Sequence, residues 1–429
     1  MYQKKIQEYK QNSKNEFDLG FDSEKLAHIP HYFSSYLEKG KLPNFTLLVS
    51  RNNEIAHLSS QGFSSVEDKT PLQYNSIYRF FSMTKPITSV AIMMLYERGL
   101  LRLEHEVSKY LPEFKEVKVW DGGTIENFKV RSPSQPILIK DLLTHTAGLT
   151  YGFMTGHPVT GLYGTSGIAS AKNSETKKEM NLDEFSNTAA SLPLLFDPGS
   201  QWNYSIATDI LGRLIEVVSG ENLDTFFNKN IFTPLGMIDT DFFVPEEKHD
   251  RFVDCYQELV SNGGNRLKRS FKGGEDSYSR PRRFLSGGGG LCSTLADYAN
   301  FCQMILNNGF FMGNQLLSPM TIEFMRKNHL PGNQTLSDMG DKSFSEVRYD
   351  GAGFGLGFSP LIDPVKASSP MSAGTISWGG MASTFFWIDS KENIFSILLT
   401  QLIPSGRYPI RPQAQTLVYS ALRDLNKNY

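Results

Sequence analysis

Residues 80–101 read FFSMTKPITSVAIMMLYERGLL, and from Phe80 to Tyr96 the only charged side chain is Lys85. A helix that is apolar or hydroxyl-bearing on nearly every face is buried, and a buried ammonium needs a task. Ser82 stands three residues earlier, on the same helical face and within hydrogen-bond reach. Burial lowers the pKa of a lysine, and a neutral amine beside a hydroxyl is a general base for a serine nucleophile. Near the start of the helix, unpaired N–H groups and the positive dipole end lie where an oxyanion would form, so the Ser82 N–H is one candidate donor.

S-x-x-K alone carries little weight, because a chain of 429 residues contains about two such pairs by chance. A second one exists, Ser174 to Lys177, inside the charged run KNSETKKEM. Lysine keeps its ordinary pKa on such a solvated surface. For Ser82 itself the competing reading is a helix N-cap beside a snorkelling lysine.

Two distant segments complement the pair. In FDPGSQWNYSIATDILGRLIEVVSG (196–220) a Pro-Gly turn leads to Tyr204, then to a helix with an apolar stripe over 206–218 that ends at Gly220. Tyr204 sits just ahead of that helix, and its phenol is a proton shuttle if a nearby ammonium lowers its pKa. In SWGGMAS (377–383) two successive glycines, Gly379 and Gly380, interrupt a strand; such pairs mark close approach of a ligand or backbone, or a bulge. The N–H of Met381, just beyond, is the candidate second oxyanion donor.

The rest of the chain sets bounds. Hydrophobic residues make up 40% and charged residues 21%, with a net charge of −2, so no field favours nucleic acid or an anionic membrane. The N-terminus lacks the apolar run of a secretory signal, no stretch has the ~18 apolar residues of a span, and Cys255, Cys292 and Cys302 suit buried thiols in a reducing compartment. A cytoplasmic protein is expected. Residues 1–24 read as a loosely held lead-in. Residues 45–63 read as a β-hairpin turning at Asn52-Asn53, and 375–389 and 393–402 as a second hairpin joined by SKEN. Residues 284–309 read as a glycine-rich crossing followed by a helix, and a closing helix is expected near 412–425. Loops at 121–136, 150–180 and 261–282 separate a few helices between. The expected fold is therefore α/β plus α, with a sheet domain from residues 1–104 and 285–429, a mainly helical, loop-rich domain over 105–284, and the site at their junction.

Ser82-Met83-Thr84-Lys85, Tyr204-Ser205-Ile206 and Trp378-Gly379-Gly380 occur in the order and approximate separation of the three motifs of class C β-lactamases and serine D,D-peptidases. The chain most closely resembles the β-lactamase-like family VIII carboxylesterases. DLLTHTAGL (141–149), the PG-x-x-x-x-Y-S segment, SGGGGLCSTLADYANF (286–301) and GFGLGF (353–358) extend the resemblance from about residue 25 to the end. It implies a central antiparallel sheet flanked by helices and built from both termini, with Ser82 as nucleophile, Lys85 as its base and Tyr204 as shuttle. It further implies an oxyanion hole from the N–H groups of Ser82 and Met381, and Trp378 as a wall of the acyl or alcohol pocket. Gly379, Gly380, Phe81 and Tyr151 are placed with Trp378 as pocket residues. Where the β-lactamases have Tyr-x-Asn this chain has Ile206, and where they begin the third motif with lysine it has Trp378. Both departures remove polar anchors for a β-lactam and favour neutral, apolar esters.

Other constellations carry less. His145 in LLTHTAGL reads as structural rather than as part of a Ser-His-Asp triad. His28 and His31 lack a Cys/His cluster to complete a metal site. Gly287–Gly290 has no G-K-[ST] ending, and no G-x-S-x-G elbow occurs. The aromatic cluster Tyr78, Phe80 and Phe81 reads as core as readily as substrate wall. The expected activity is hydrolysis of short-chain or small neutral esters through an acyl-enzyme, without metal or cofactor. The alternatives are an acyltransferase, an amide or peptide hydrolase or a weak β-lactamase of the same superfamily, and a non-catalytic binding scaffold.

Overall fold

A computed structural model describes residues 1–12, 19–172, 176–261, 264–340 and 344–426. Strands β1 (Asn44–Arg51) and β2 (Glu54–Ser65) form the expected hairpin. Its turn is Asn52-Asn53, with φ of 53° and 64°, a conformation asparagine tolerates better than most residues. Short β3 (Thr70–Pro71) follows β2, while β4 (Ser359–Pro360), β5 (Ile376–Gly379), β6 (Phe385–Asp389) and β7 (Ile394–Leu399) come from the far end of the chain. The antiparallel sheet runs β4-β5-β6-β7-β1-β2-β3. Its two contributions join where β7 pairs with β1, Thr46 opposite Leu399.

Alternation along the strands fills two cores. Phe45, Leu47, Val49, Phe385 and Trp387 share one with helices α2 (His28–Glu38) and α6 (Ile410–Ser420). Leu48, Phe386, Ile388, Phe395 and Ile397 share the other with α1 (Tyr2–Asn12), α3 (Lys85–Glu97) and α5 (Leu295–Leu306). Helix α4 (Ala207–Ser219) packs on α3, which is buried at every position from Lys85 to Leu95. No helix among the described residues is long and apolar enough to cross a membrane, and all three cysteines are buried free thiols.

Several expectations need correction. The N-terminus is not a loose lead-in: Tyr2 is fully buried, and its hydroxyl meets Ser50 Oγ at 2.6 Å and donates to Gln303 Oε1 at 2.8 Å. A polar helix thus docks through Tyr2 and Ile6, which composition averaged over 24 residues conceals. The segments expected as loops at 121–136 and 261–282 hold strands, in the hairpins Val119–Gly123 with Phe128–Arg131 and Cys255–Ser261 with Gly264–Phe271. Gly122 and Gly123, at φ near 106°, mask the first of these in the sequence. The run 375–389 is two strands, because the chain turns tightly over Gly380–Thr384, with the Gly380 N–H donating to the Thr384 carbonyl at 2.9 Å. Ser174 lies outside the described residues.

Candidate active site

Ser82 sits on a 3-10 turn, Phe81–Thr84, that runs into α3 with Pro86 in the first turn, where a missing N–H costs nothing. Residues three apart eclipse one another in a 3-10 turn, which brings Lys85 Nζ to 3.3 Å from Ser82 Oγ. Phe81 just before it adopts φ 46°, a left-handed conformation that costs a bulky residue about 1–3 kcal/mol. Its ring is held by Tyr278 and Phe271, at centroid distances of 6.1 and 6.5 Å, so Phe81 is mostly core.

Tyr204 arrives from the loop ahead of α4, and its hydroxyl donates to Ser82 Oγ at 2.6 Å. The 141–149 segment holds that loop. Asn203 N–H donates to the His145 carbonyl at 3.0 Å, Asn203 Nδ2 to the Leu149 carbonyl at 3.0 Å, and His145 Nδ1 meets Ser205 Oγ at 3.0 Å. The imidazole packs edge-on against the Tyr204 ring, centroids 5.1 Å apart, and burial holds its pKa well below the usual value. His145 is a neutral support for Tyr204, remote from any triad role.

Lys85 is 2% exposed. Besides Ser82 it reaches the Gly288 carbonyl at 2.6 Å and the Tyr151 hydroxyl at 3.0 Å. Burial lowers its pKa to about 8, against the opposing pull of Asp209 and Glu346. A neutral amine has two N–H bonds and one lone pair. The Gly288 carbonyl can only accept and the Tyr151 hydroxyl can accept, which leaves the lone pair for the Ser82 proton.

The sequence suggested that the lysine would lower the Tyr204 pKa, and here the structure differs. Tyr204 is 1% exposed, and burial, reinforced by Glu346, pushes its pKa well above 10; that of Tyr151 rises for the same first reason. Tyr204 therefore stays a neutral phenol that donates to Ser82, and Lys85 is the group of the three whose pKa is brought down, to about 8. Trp378 has no exposed surface and packs its ring against that of Tyr204, centroids 5.4 Å apart. Its indole N–H is near enough to the phenol oxygen to favour ionisation slightly but falls short of a well-formed hydrogen bond. It buttresses Tyr204 from behind.

The Gly379-Gly380 pair serves close approach. A Cβ on Gly380 would collide with the carbonyl oxygen of Phe80, and one on Gly379 would meet the Arg411 guanidinium. This contact brings the turn carrying Met381 alongside the turn carrying Ser82. The N–H groups of Ser82 and Met381 have no acceptor among the described residues.

Asp209, Glu346 and Arg411 carry no reading in the sequence analysis, and Gly288 enters it only within the Gly287–Gly290 run. Asp209, on α4, is 4% exposed and accepts from Ser286 Oγ at 2.5 Å and the Gly288 N–H at 3.0 Å, so it fixes the carbonyl that holds Lys85. Gly288 is required there, since a Cβ would lie 2.6 Å from Asp209 Oδ2. Arg411 donates to the carbonyls of Gly380, Thr384 and Glu346, each at 2.8 Å, and pairs with the Glu346 carboxylate at 2.8 Å. A charged residue within a buried stripe, the signal that exposed Lys85, was also present at Asp209. A cavity of about 340 Å³, lined by Glu346, Ser377, Phe385 and Arg411 among others, lies behind β5, and its lining does not include Ser82.

A family model described as Beta-lactamase matches residues 29–419. Protein Rv1367c of Mycobacterium tuberculosis is 30% identical over 86% of this chain and 88% of its own length. Esterase EstB of Burkholderia gladioli is 29% identical over 89% of this chain and 91% of its own. Among solved structures, EstCE1, titled a hydrolase with promiscuous acyltransferase activity, superposes with a TM-score of 0.75 at 24% identity, covering 94% of this chain and 99% of its own.

Proposed function

Because the chain belongs to the beta-lactamase family, we propose that it is a serine carboxylesterase that cleaves small neutral esters through an acyl-enzyme on Ser82. The observation that carries this is the Ser82 hydroxyl held between the Tyr204 hydroxyl at 2.6 Å and the Lys85 amine at 3.3 Å, with the lysine pKa brought down to about 8. Neutral Lys85 takes the Ser82 proton as Oγ attacks the ester carbonyl. The N–H groups of Ser82 and Met381 receive the oxyanion. As the C–O bond breaks, the proton passes from the lysine through Tyr204 to the leaving alkoxide, and water then attacks the acyl-enzyme with the same pair as base.

The site draws Ser82, Lys85 and Met381 from the sheet unit (1–104 and 285–429) and Tyr204 from the intervening segment (105–284), as a junction between two units would. Ile206 is 2% exposed and Trp378 fully buried, so neither offers a polar anchor to a charged substrate. The relative named Esterase EstB supports ester substrates. Acyl transfer to an alcohol shares the first half of this mechanism, and the likeness to EstCE1 favours it as a second reading.

The test is intact-mass analysis and peptide mapping after exposure to a short-chain p-nitrophenyl ester. An acyl adduct on Ser82, with hydrolysis abolished in Ser82→Ala, is expected; full activity in that variant would end the proposal. Partition of the acyl group between water and added alcohol separates hydrolysis from transfer.

A further inference from the structure

We propose that the alcohol half of the ester binds an aromatic subsite built by Tyr151, Phe153 and Phe344; this rests on the esterase reading above. The carbonyl oxygen goes to the N–H groups of Ser82 and Met381, whereas the leaving oxygen must lie where Lys85 and Tyr204 deliver a proton. The alcohol skeleton therefore departs past the rings surrounding those two groups.

Those rings form a closed circuit. Tyr204 and Tyr151 have centroids 5.2 Å apart, Tyr151 and Phe153 stack at 4.8 Å and 19°, Phe153 meets Phe344 edge-on at 5.8 Å and 89°, and Phe344 returns to Tyr204 at 5.9 Å. Tyr151 is tied to the chemistry through its hydroxyl, 3.0 Å from Lys85 Nζ. At the outer end Phe153 is 54% exposed, and its ring is stacked on Tyr151 and meets Phe344 edge-on. A ring that leaves half its surface in water while stacked on the wall of a reaction centre gains from a planar apolar ligand laid against it. The class of substrate is therefore an ester of an aromatic or planar apolar alcohol.

The experiment compares kcat/KM for benzyl butyrate and n-butyl butyrate, which share an acyl group and have leaving alcohols of similar basicity, in the wild type and in Phe153→Ala, Phe153→Tyr and Phe344→Leu. A stacked ring pair contributes about a 2- to 12-fold preference, so the wild type should favour the benzyl ester by about tenfold. Phe153→Ala should cut the ratio to about twofold through KM rather than kcat, and Phe153→Tyr should restore it. A wild-type ratio near one overturns the subsite, as does a Phe153→Ala effect of equal size on both esters. Acylation of Ser82 with no benzyl preference sinks this inference alone, while failure to acylate Ser82 at all sinks the esterase reading and this with it.

Discussion

Gly380 packs against the carbonyl of Phe80 so closely that a single methyl group at its Cα has no room. The obstruction is backbone, which cannot swing aside as a flexible side chain would. In Gly380→Ala the turn over 380–384 must move away from the turn carrying Ser82 and take the Met381 N–H with it. Loss of one oxyanion donor costs about 10²–10³ in kcat. Steady-state kinetics should show that loss with little change in KM, while far-UV circular dichroism stays that of the parent. An Ala variant with parental kcat would remove Met381 from the oxyanion hole.

The pH profile follows from Lys85. Its pKa falls from 10.5 to about 8 because burial penalises the ammonium, and the proposed reaction needs the neutral amine. For a neutral ester kcat/KM should rise about tenfold per pH unit and level off above about pH 8. Tyr204 and Tyr151 are pushed well above 10, so no second ionisation should bend the curve before then. Stability changes with the same sign. Between about pH 8 and 10.5 the unfolded chain holds a proton on this lysine that the folded chain has lost, so its contribution to stability rises with pH across that window. A profile levelling off near pH 6 would assign the base to another group.

The parts of this site legible in sequence are those in which one short segment carries its own contradiction. Lys85 in an apolar helix, a tyrosine poised at a helix start and a glycine pair in a strand each violate a local rule, and functional sites are where such violations persist. Asn52-Asn53 likewise announced the β1–β2 turn. Tertiary convergence was not legible: Asp209, Gly288, Glu346 and Arg411 come from four separate segments, and what each does follows only when folding brings it to Lys85 or to the 380–384 turn. The direction of the Tyr204 pKa is not legible in sequence, because proximity to an ammonium can be inferred from motifs, whereas complete burial of the phenol depends on rings from Tyr151, Trp378 and Phe344.

Asp209 raises the pKa of Lys85 through its charge and fixes Gly288 through hydrogen bonds. Asp209→Asn separates these roles, since the amide oxygen can still accept from Ser286 and from the Gly288 N–H. With the anion gone, the ammonium loses support and the lysine pKa falls further. The rising limb of kcat/KM should move to lower pH while the plateau drops, because a weaker base abstracts the Ser82 proton more slowly. An unmoved or alkaline-shifted limb would show that Asp209 is not electrostatically coupled to Lys85.

Arg411 connects the 380–384 turn to the rest of the protein. Its guanidinium holds the Gly380 and Thr384 carbonyls and neutralises Glu346, a carboxylate only 3% exposed. Arg411→Met removes the hydrogen bonds and also strands a buried anion. Breaking a buried pair from one side costs about 3–5 kcal/mol, much of it the penalty on the charge left behind. The double variant Arg411→Met with Glu346→Gln removes that charge, so urea denaturation should recover a substantial part of the lost stability. Activity should not recover with it, because the turn still lacks its two carbonyl anchors. Were the double variant no more stable than the single, the stranded charge would not be the cause. Were its kcat parental, the guanidinium would have no part in holding Met381 beside Ser82.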